Sequence, residues 1–313
     1  MSRAVVASAY GGPEVLTVVD SDPGAPGPGE VVVEVRAAGV NPSDWKGYSG
    51  QWGRDRARLP LRLGREVAGV VVAVGPDVET RSEGDEVVAW PVVGGYADRV
   101  RVPARVTAPR PAGLGWAQSA GLLLTGSTAV HLLVATRVGA GDTVLVHGGS
   151  GGVGRLAVQL ARLRGARVIA TASPGSHDDL RRLGATPVAY GPGLVERVRA
   201  LEPVEGAVTA AIDTAGTDEA LDASVELVAD RSRVATIAGF VRGGELGVQL
   251  LGGGKGADPG TDIREAARDQ LAALADEGVL DVVVAHTYPL EDAARAHLES
   301  MQGHPHGKLV LIP

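Results

Sequence analysis

The chain has no cysteine among its 313 residues. That excludes disulfides, thiolate nucleophiles and every zinc site built on cysteine. Aromatic residues make up only 3%, so the core must be assembled from Val, Leu, Ala and Ile. Lysine occurs only at Lys46, Lys255 and Lys308. The arginine that replaces it, with the richness in Ala, Val and Gly, reads as codon bias. No Lys/Arg run stands out, and the net charge of −7 is spread over both signs. Neither nucleic acid nor an anionic membrane is therefore expected as a partner. Gly, Arg or Asp interrupts the apolar stretches before they reach 18 residues. The start at Met1–Val6 enters a strand-like run without the apolar segment of a signal peptide. No membrane span is expected, and a soluble cytoplasmic protein is.

What is present divides by rhythm. Up to about residue 120, short β-like runs such as Glu30–Arg36, Val67–Val74 and Asp85–Ala89 alternate with Gly/Pro turns, which predicts an antiparallel, barrel-like domain. From about 125 to 285, strands alternate with helical stretches, the pattern of a parallel sheet built from βαβ units. Strands are expected at Thr143–His147, Arg167–Thr171, Val208–Ile212 and Arg233–Ala238. Helices are expected at Val153–Arg164, Asp178–Leu183 and Asp218–Ala229. Gly252–Gly260 reads as a mobile loop. From about 286 the tail, with helix Glu291–Met301 and strand Lys308–Ile312, is expected to return to the first domain. The division is thus 1–122 with 286–313, and 123–285.

Gly149-Ser150-Gly151-Gly152-Val153-Gly154 spells G-x-G-x-x-G between strand Thr143–His147 and a helix. In that setting it is a cradle for a dinucleotide pyrophosphate, with the helix N-terminus offering N–H groups to the anion. An NAD site places Asp or Glu at the end of the next strand to hold the ribose 2′-hydroxyl. Here Thr171 is followed by Ala172-Ser173-Pro174-Gly175-Ser176-His177, without an acid. The missing carboxylate favours NADPH, with Ser173, Ser176, His177 or Arg181 facing the 2′-phosphate. Alternatively these residues cap the helix near Asp178, for which Ser176 is placed.

With these motifs assembled, the chain resembles the zinc-free quinone oxidoreductase branch of the medium-chain dehydrogenase/reductase superfamily. The resemblance rests on Gly11–Leu16 (GGPEVL), Gly39–Lys46 (GVNPSDWK), Gly64–Gly69 (GREVAG), Val138–Thr143 (VGAGDT), the glycine loop and the closing Gly307–Leu311 (GKLVL). It implies an α/β architecture, a GroES-like β-barrel domain plus a Rossmann doubly wound parallel sheet, with the active site in the cleft between them. It also implies a homodimer made by edge pairing of Rossmann sheets, for which the strand near Val282–Ala285 is the candidate. Arg65 stands where zinc enzymes carry a histidine ligand, so no metal is expected. An Arg65–Glu66 pair would be a structural salt bridge.

The resemblance further implies nicotinamide-side contacts at Thr128, Asp213, Thr214, Ala238, Gly239 and Phe240, and an adenosine-side contact at Tyr190. Thr171 and Lys308 join the cofactor set, and His177 falls where relatives carry a phosphate-binding lysine. For the acceptor, Asn41–Trp52 is the richest segment. Asn41 is the candidate for positioning the nicotinamide or a substrate oxygen, and Asp44 for orienting the loop. Lys46 or Tyr48 is the candidate proton donor, and Trp45 and Trp52 are candidate apolar walls. The expected reaction is NADPH-dependent hydride transfer to a quinone or to the activated C=C bond of an α,β-unsaturated carbonyl compound. Two alternatives stay open: a stand-alone enoyl-thioester reductase, for which Arg54, Arg56, Arg58 and Arg62 form a loose basic cluster, and a non-catalytic NADPH-binding protein. His147 reads as a buried strand residue, and His304 with His306 is too little for a metal site.

Overall fold

A computed structural model describes residues 2–303 and 306–313; His304 lies outside them. The chain forms two compact units, Met1–Leu124 with Arg268–Pro313, and Thr125–Ala267.

The first unit is built around the eleven-residue strand Glu30–Val40. Its run of valines favours a pleated, half-buried surface, and Val31, Val33 and Val35 are all buried. One edge pairs antiparallel with Val67–Val74. The other edge serves two partners in succession. Its first half pairs with Arg99–Pro103 and its second half with the C-terminal strand Lys308–Ile312. Two register shifts, at Val32/Val33 and Val35/Ala37, bend the strand between them. Val284–Pro289 extends the sheet parallel to Lys308–Ile312, and Glu86–Ala89 and Thr107–Pro109 extend it beyond Val67–Val74. A smaller sheet joins Leu16–Asp20, Arg3–Ala7 and Leu61–Arg62. The core is mostly Val, Ala and Leu, with the aromatic side chains of Tyr48 and Tyr96 fully buried in it.

The second unit holds a six-stranded parallel sheet. Its spatial order is Thr186–Val188, Arg167–Thr171, Thr143–His147, Ala210–Asp213, Val234–Thr236, Gln249–Leu250. Numbered along the chain, that is the doubly wound order 3-2-1-4-5-6, whose direction reverses between the first and fourth strands. The central strand Thr143–His147 is buried along its whole length, as a strand covered on both faces must be. Two strands are displaced from expectation, to Ala210–Asp213 and Val234–Thr236. The expectation for the edge strand is corrected too. Residues 282–285 lead into a strand of the first unit, and the far edge of the parallel sheet is Gln249–Leu250.

The glycine-rich segment 252–260 is tied down rather than open. Gly252 N–H donates to Asp258 O at 2.7 Å and Asp258 N–H to Leu250 O at 2.9 Å. Asp258 also bonds the buried His131 at 3.2 Å. One stretch, Trp116–Ala135, has the length and mean hydropathy (1.2) of a span, but 72% of it is buried in the fold. Two helices, Trp116–Ser119 and Leu123–Ala135, divide it, and it reads as core.

Two glycines of the first unit give opposite expectations. A Cβ on Gly39 would run into the Ala120 carbonyl and the Glu66 carboxylate, whereas one on Gly47, inside helix Pro42–Tyr48, meets nothing within 4 Å. Gly39→Ala should lower stability by about 1–3 kcal/mol through overpacking. Gly47→Ala should raise it by roughly 0.5–1 kcal/mol through helix propensity. Urea denaturation midpoints of the two variants check both signs.

Candidate active site

At the reversal point of the parallel sheet, strand Thr143–His147 runs into Gly148, whose φ of +72° lies in the left-handed region that glycine favours. The turn is clamped on both sides. Gly148 N–H donates to Thr171 Oγ1 at 3.2 Å and Gly149 N–H to Thr171 O at 2.9 Å. Thr214 Oγ1 donates to His147 O at 2.7 Å. Helix Gly152–Leu163 then leaves the loop, its N-cap Gly151 carrying no side chain to bond the first-turn N–H groups. A Cβ on Gly154 would collide with the Gly148 carbonyl, so the helix can approach the turn this closely only with glycine there. The result is a glycine-walled cup with helix N–H groups at its base, the shape and charge that a pyrophosphate needs.

The other residues expected around a dinucleotide divide into two groups. Thr171, Ser173, Thr214, Ala238 and Gly239 stand at or just beyond the carboxyl ends of the strands. His177 begins helix His177–Arg182, and its Nε2 lies 3.3 Å from Ala172 O. Ser176 is buried and makes no side-chain cap bond to that helix, correcting the capping expectation. Tyr190 is about half exposed, and Thr128 is buried on helix Leu123–Ala135. Phe240 packs its ring against Gly254. Asp213 is a brace: Oδ1 accepts from Ala215 N–H and Gly216 N–H, both at 2.9 Å, and Oδ2 accepts from Thr236 Oγ1 at 2.6 Å. Lys308 belongs to the first unit. His147 is buried beside Asp213; desolvation pushes its pKa down to about 4, and its Nε2 has no hydrogen-bond partner.

In the first unit a second polar cluster closes on itself. Lys308 Nζ donates to Glu66 Oε1 at 2.8 Å, Asn41 Oδ1 at 2.6 Å and Val40 O at 3.1 Å. Asn41 Nδ2 donates to Glu66 Oε1 at 3.0 Å and Gly39 O at 3.2 Å. Glu66 Oε2 accepts from Leu124 N–H at 3.0 Å, at the start of helix Leu123–Ala135. The side chains of Lys308 and Glu66 are 5% and 2% exposed. Glu66 is thus the partner of Lys308, and Arg65 instead reaches Asp44, at 3.7 Å; the expected Arg65–Glu66 bridge is not formed. Asn41 is 2% exposed and its amide is engaged on both atoms.

Asp44 braces the start of helix Pro42–Tyr48. Its Oδ2 accepts from Asn41 N–H and from Tyr96 Oη, both at 2.9 Å. Burial pushes its pKa up to about 6, against the pull of Arg65, the Asn41 N–H and the Tyr96 hydroxyl. Tyr96 Oη lies 3.1 Å from His297 Nε2, and Tyr48 Oη lies 2.8 Å from His297 Nδ1. With the single Tyr96 proton given to Asp44, His297 Nε2–H donates to Tyr96 and Nδ1 accepts from Tyr48. Tyr48 is therefore fully buried and bonded within the core, and its hydroxyl pKa is raised by desolvation. Of the two candidate proton donors, Lys46 is the accessible one. It is half-buried, burial lowers its pKa, and its Nζ lies 5.6 Å from the Trp45 ring centroid. Trp45 packs against the core and bonds Ser300, while Trp52 is exposed. Tyr96 and His297 were not anticipated; the only signal was a histidine within the apolar helical stretch Ala293–Gln302.

Zinc does not fit these residues. Its structural and catalytic sites need three or four Cys, His or carboxylate ligands. No such group of three occurs among the described residues, the chain lacks cysteine, and Glu66 already holds an ammonium. A dinucleotide does fit, on the glycine cup.

Two outcomes follow from the buried charges. Lys308→Met should cost about 3–5 kcal/mol by stranding Glu66, and adding Glu66→Gln should recover much of that; urea unfolding of the single and double variants tests it. His147 and His297 are both held near pKa 4 by burial, below their unfolded value of about 6.5. Unfolding takes up protons there, so their contribution is present above about pH 6.5 and is lost as pH falls towards 4. Asp44, raised to about 6, releases a proton on unfolding and offsets part of this. Stability should fall by roughly 1.4 kcal/mol per pH unit between 6 and 4. His297→Gln should be less stable at pH 7 but show a shallower slope.

Comparison with known proteins agrees with this architecture. A profile for the alcohol dehydrogenase GroES-like domain matches residues 27–112, and one for zinc-binding dehydrogenase matches 183–311. A quinone oxidoreductase of Pseudomonas aeruginosa is 33% identical over 330 aligned positions, covering all of both chains. A mycobacterial protein solved in complex with NADPH is 33% identical, with a TM-score of 0.84 over the full length of both. A polyketide synthase system protein of Streptomyces orinoci is 35% identical over 91% of this chain, which spans 13% of that protein. The first unit is accordingly GroES-like and the second a Rossmann domain, and the chain belongs to the quinone oxidoreductase branch of the medium-chain dehydrogenase/reductase superfamily.

Proposed function

We propose that this oxidoreductase is an NADPH-dependent, metal-independent reductase of quinones or of activated C=C bonds in α,β-unsaturated carbonyl compounds. The observation that carries the proposal is the glycine cup followed by a second strand that ends without an acid. The first carboxylate after Thr171 is Asp178, whose side chain is 91% exposed and pairs with Arg181 at 2.6 Å. Nothing there would repel a 2′-phosphate, and Ser173 and His177 are polar neighbours for it. The NADPH complex of the mycobacterial relative supports the same choice.

In this reading the N–H groups of Ser150, Gly152, Val153 and Gly154 hold the pyrophosphate, while Gly151, whose N–H bonds Gly148 O at 3.1 Å, shapes the turn. Thr128, Thr214, Ala238, Gly239 and Phe240 line the nicotinamide side, and Tyr190 the adenosine side. The bound cofactor supplies a hydride to an electron-poor conjugated carbon. The chain supplies orientation and a proton. Asn41 acts on the acceptor only through the position of helix Pro42–Tyr48, because its own amide is engaged. Lys46 is the proton donor, since its burial brings the ammonium closer to the working range of a general acid. The reading also carries a homodimer.

The test is cofactor oxidation against a panel of ortho- and para-quinones, enones and enoyl thioesters, with NADPH and NADH, before and after EDTA. NADPH should be preferred by at least about tenfold, and EDTA should change nothing. Lys46→Met should lower kcat by about 10²-fold, the low end for general-acid catalysis, with NADPH binding intact. Tight NADPH binding with no oxidation by any acceptor would instead identify a binding protein without turnover.

A further inference from the structure

Helix Pro42–Tyr48 is followed by a segment whose charge is unlike the rest of the chain. Residues 51–65 carry Arg54, Arg56, Arg58, Arg62 and Arg65 against one acid, Asp55, a local net charge of +4 on a protein of net −7. All five arginines are exposed. Arg65 reaches Asp44 at 3.7 Å; among the described residues Arg54, Arg56, Arg58 and Arg62 have no carboxylate within 4 Å. Elsewhere the arginines are commonly paired, as in Arg3–Asp98, Arg110–Glu86 and Arg242–Asp222.

The segment is shaped rather than slack. Asp55 Oδ1 caps the turn Arg56–Arg58 by accepting from Ala57 N–H at 3.0 Å. The Tyr10 hydroxyl bridges the Asp55 backbone, donating to its O and accepting from its N–H, both at 3.0 Å. The one acid is thereby taken up locally instead of neutralising its neighbours. Beyond the turn, Leu61–Arg62 pairs with Val6 and Ala7. At the other end Trp52 leaves 42% of its surface exposed, with the Arg65 guanidinium 5.7 Å from the ring centroid. In a chain with four tryptophans, an exposed indole that just precedes the unpaired Arg54, Arg56 and Arg58 in sequence invites a ligand.

We propose that this strip binds the phosphorylated adenosine end of a coenzyme A thioester, which makes the acceptor an enoyl thioester. Guanidinium forks match phosphate oxygens in pairs, and an exposed indole offers a stacking face to a purine. A small neutral quinone has no use for four unpaired cations. The inference rests on the reading of the protein as a conjugated C=C reductase and narrows its substrate.

The test compares wild type with Arg56→Gln/Arg58→Gln, neither residue belonging to the cofactor or proton-donating set. Four acceptors are used: an enoyl-coenzyme A, the same acyl group on N-acetylcysteamine, the same group on an acyl carrier protein, and a quinone. The double variant should raise KM for the coenzyme A ester about tenfold with kcat within twofold, and leave the N-acetylcysteamine ester and the quinone unchanged. Independently of turnover, free coenzyme A titrated calorimetrically into NADP⁺-saturated protein should bind. That binding should weaken on adding salt, on removing the 3′-phosphate, and in both the double variant and Trp52→Ala. Equal KM for the two small thioesters, an effect confined to the carrier-bound acyl group, or no coenzyme A binding would each overturn the strip as a coenzyme A site. Quinone turnover would in every case leave the reductase reading standing.

Discussion

The first unit depends on one buried ion pair. Glu66 and Lys308 stand 242 residues apart in sequence and meet at 2.8 Å with almost no exposure. Burying either charge alone would cost several kcal/mol. The arrangement is tolerable because every donor on the ammonium has an acceptor and both carboxylate oxygens are engaged. The pair joins the last strand to the long strand and to the strand that follows Glu66. It fixes the Asn41 amide and holds the Leu124 N–H at the start of helix Leu123–Ala135. A barrel with few aromatics gains specificity of register from such a knot, where apolar Val and Ala alone would tolerate slippage.

The same logic of saturation separates structural polar groups from available ones. Asp213, Tyr48, Tyr96 and His297 are polar groups of the kind that carry chemistry, yet each has its hydrogen bonds directed inward, and so does Asp44 through Oδ2. Among the described residues, and apart from the buried His147 Nε2 and Asp44 Oδ1, groups left without such partners include the first N–H groups of helix Gly152–Leu163, the Lys46 ammonium and the guanidiniums of Arg54, Arg56, Arg58 and Arg62. In the proposed reading these serve as a pyrophosphate cradle, a proton donor and an anion-binding strip. Hydride transfer draws on the first two, and the third is what the proposed thioester acceptor with a charged handle requires.

The architecture was largely legible because its signals are local. A change from two-residue alternation to strand–helix alternation marks the two units, and the glycine loop marks the cup. Strands Thr143–His147, Arg167–Thr171 and Lys308–Ile312 have the bounds that their apolar runs predict. Sequence reasoning failed where partners are remote. Arg65 and Glu66 are adjacent in the connection that leads into strand Val67–Val74, and adjacency does not make their side chains meet, so their pairing was the wrong inference from proximity. Glu66 turns to Lys308, and the exposed Arg65 reaches the buried Asp44. Segment 252–260 looked open because it is rich in glycine, yet Asp258 ties it to His131 on a distant helix.

The match to a zinc-binding dehydrogenase profile, over residues 183–311, is a match of scaffold and not of ligands. A fold fixes where strands end and helices begin, whereas metal chemistry resides in a few side chains grafted onto it. Here the grafted set has changed. Glu66 faces a lysine ammonium in place of free coordination space, and the neighbouring position is Arg65. A permanently protonated cation can balance a buried carboxylate and hold an amide in register, but it has no vacant orbital with which to polarise a carbonyl. In the proposed metal-independent reading, activation of the acceptor falls to its own conjugation and to the Lys46 proton. That reading accounts for a preference for a conjugated, electron-poor substrate over a simple alcohol or ketone.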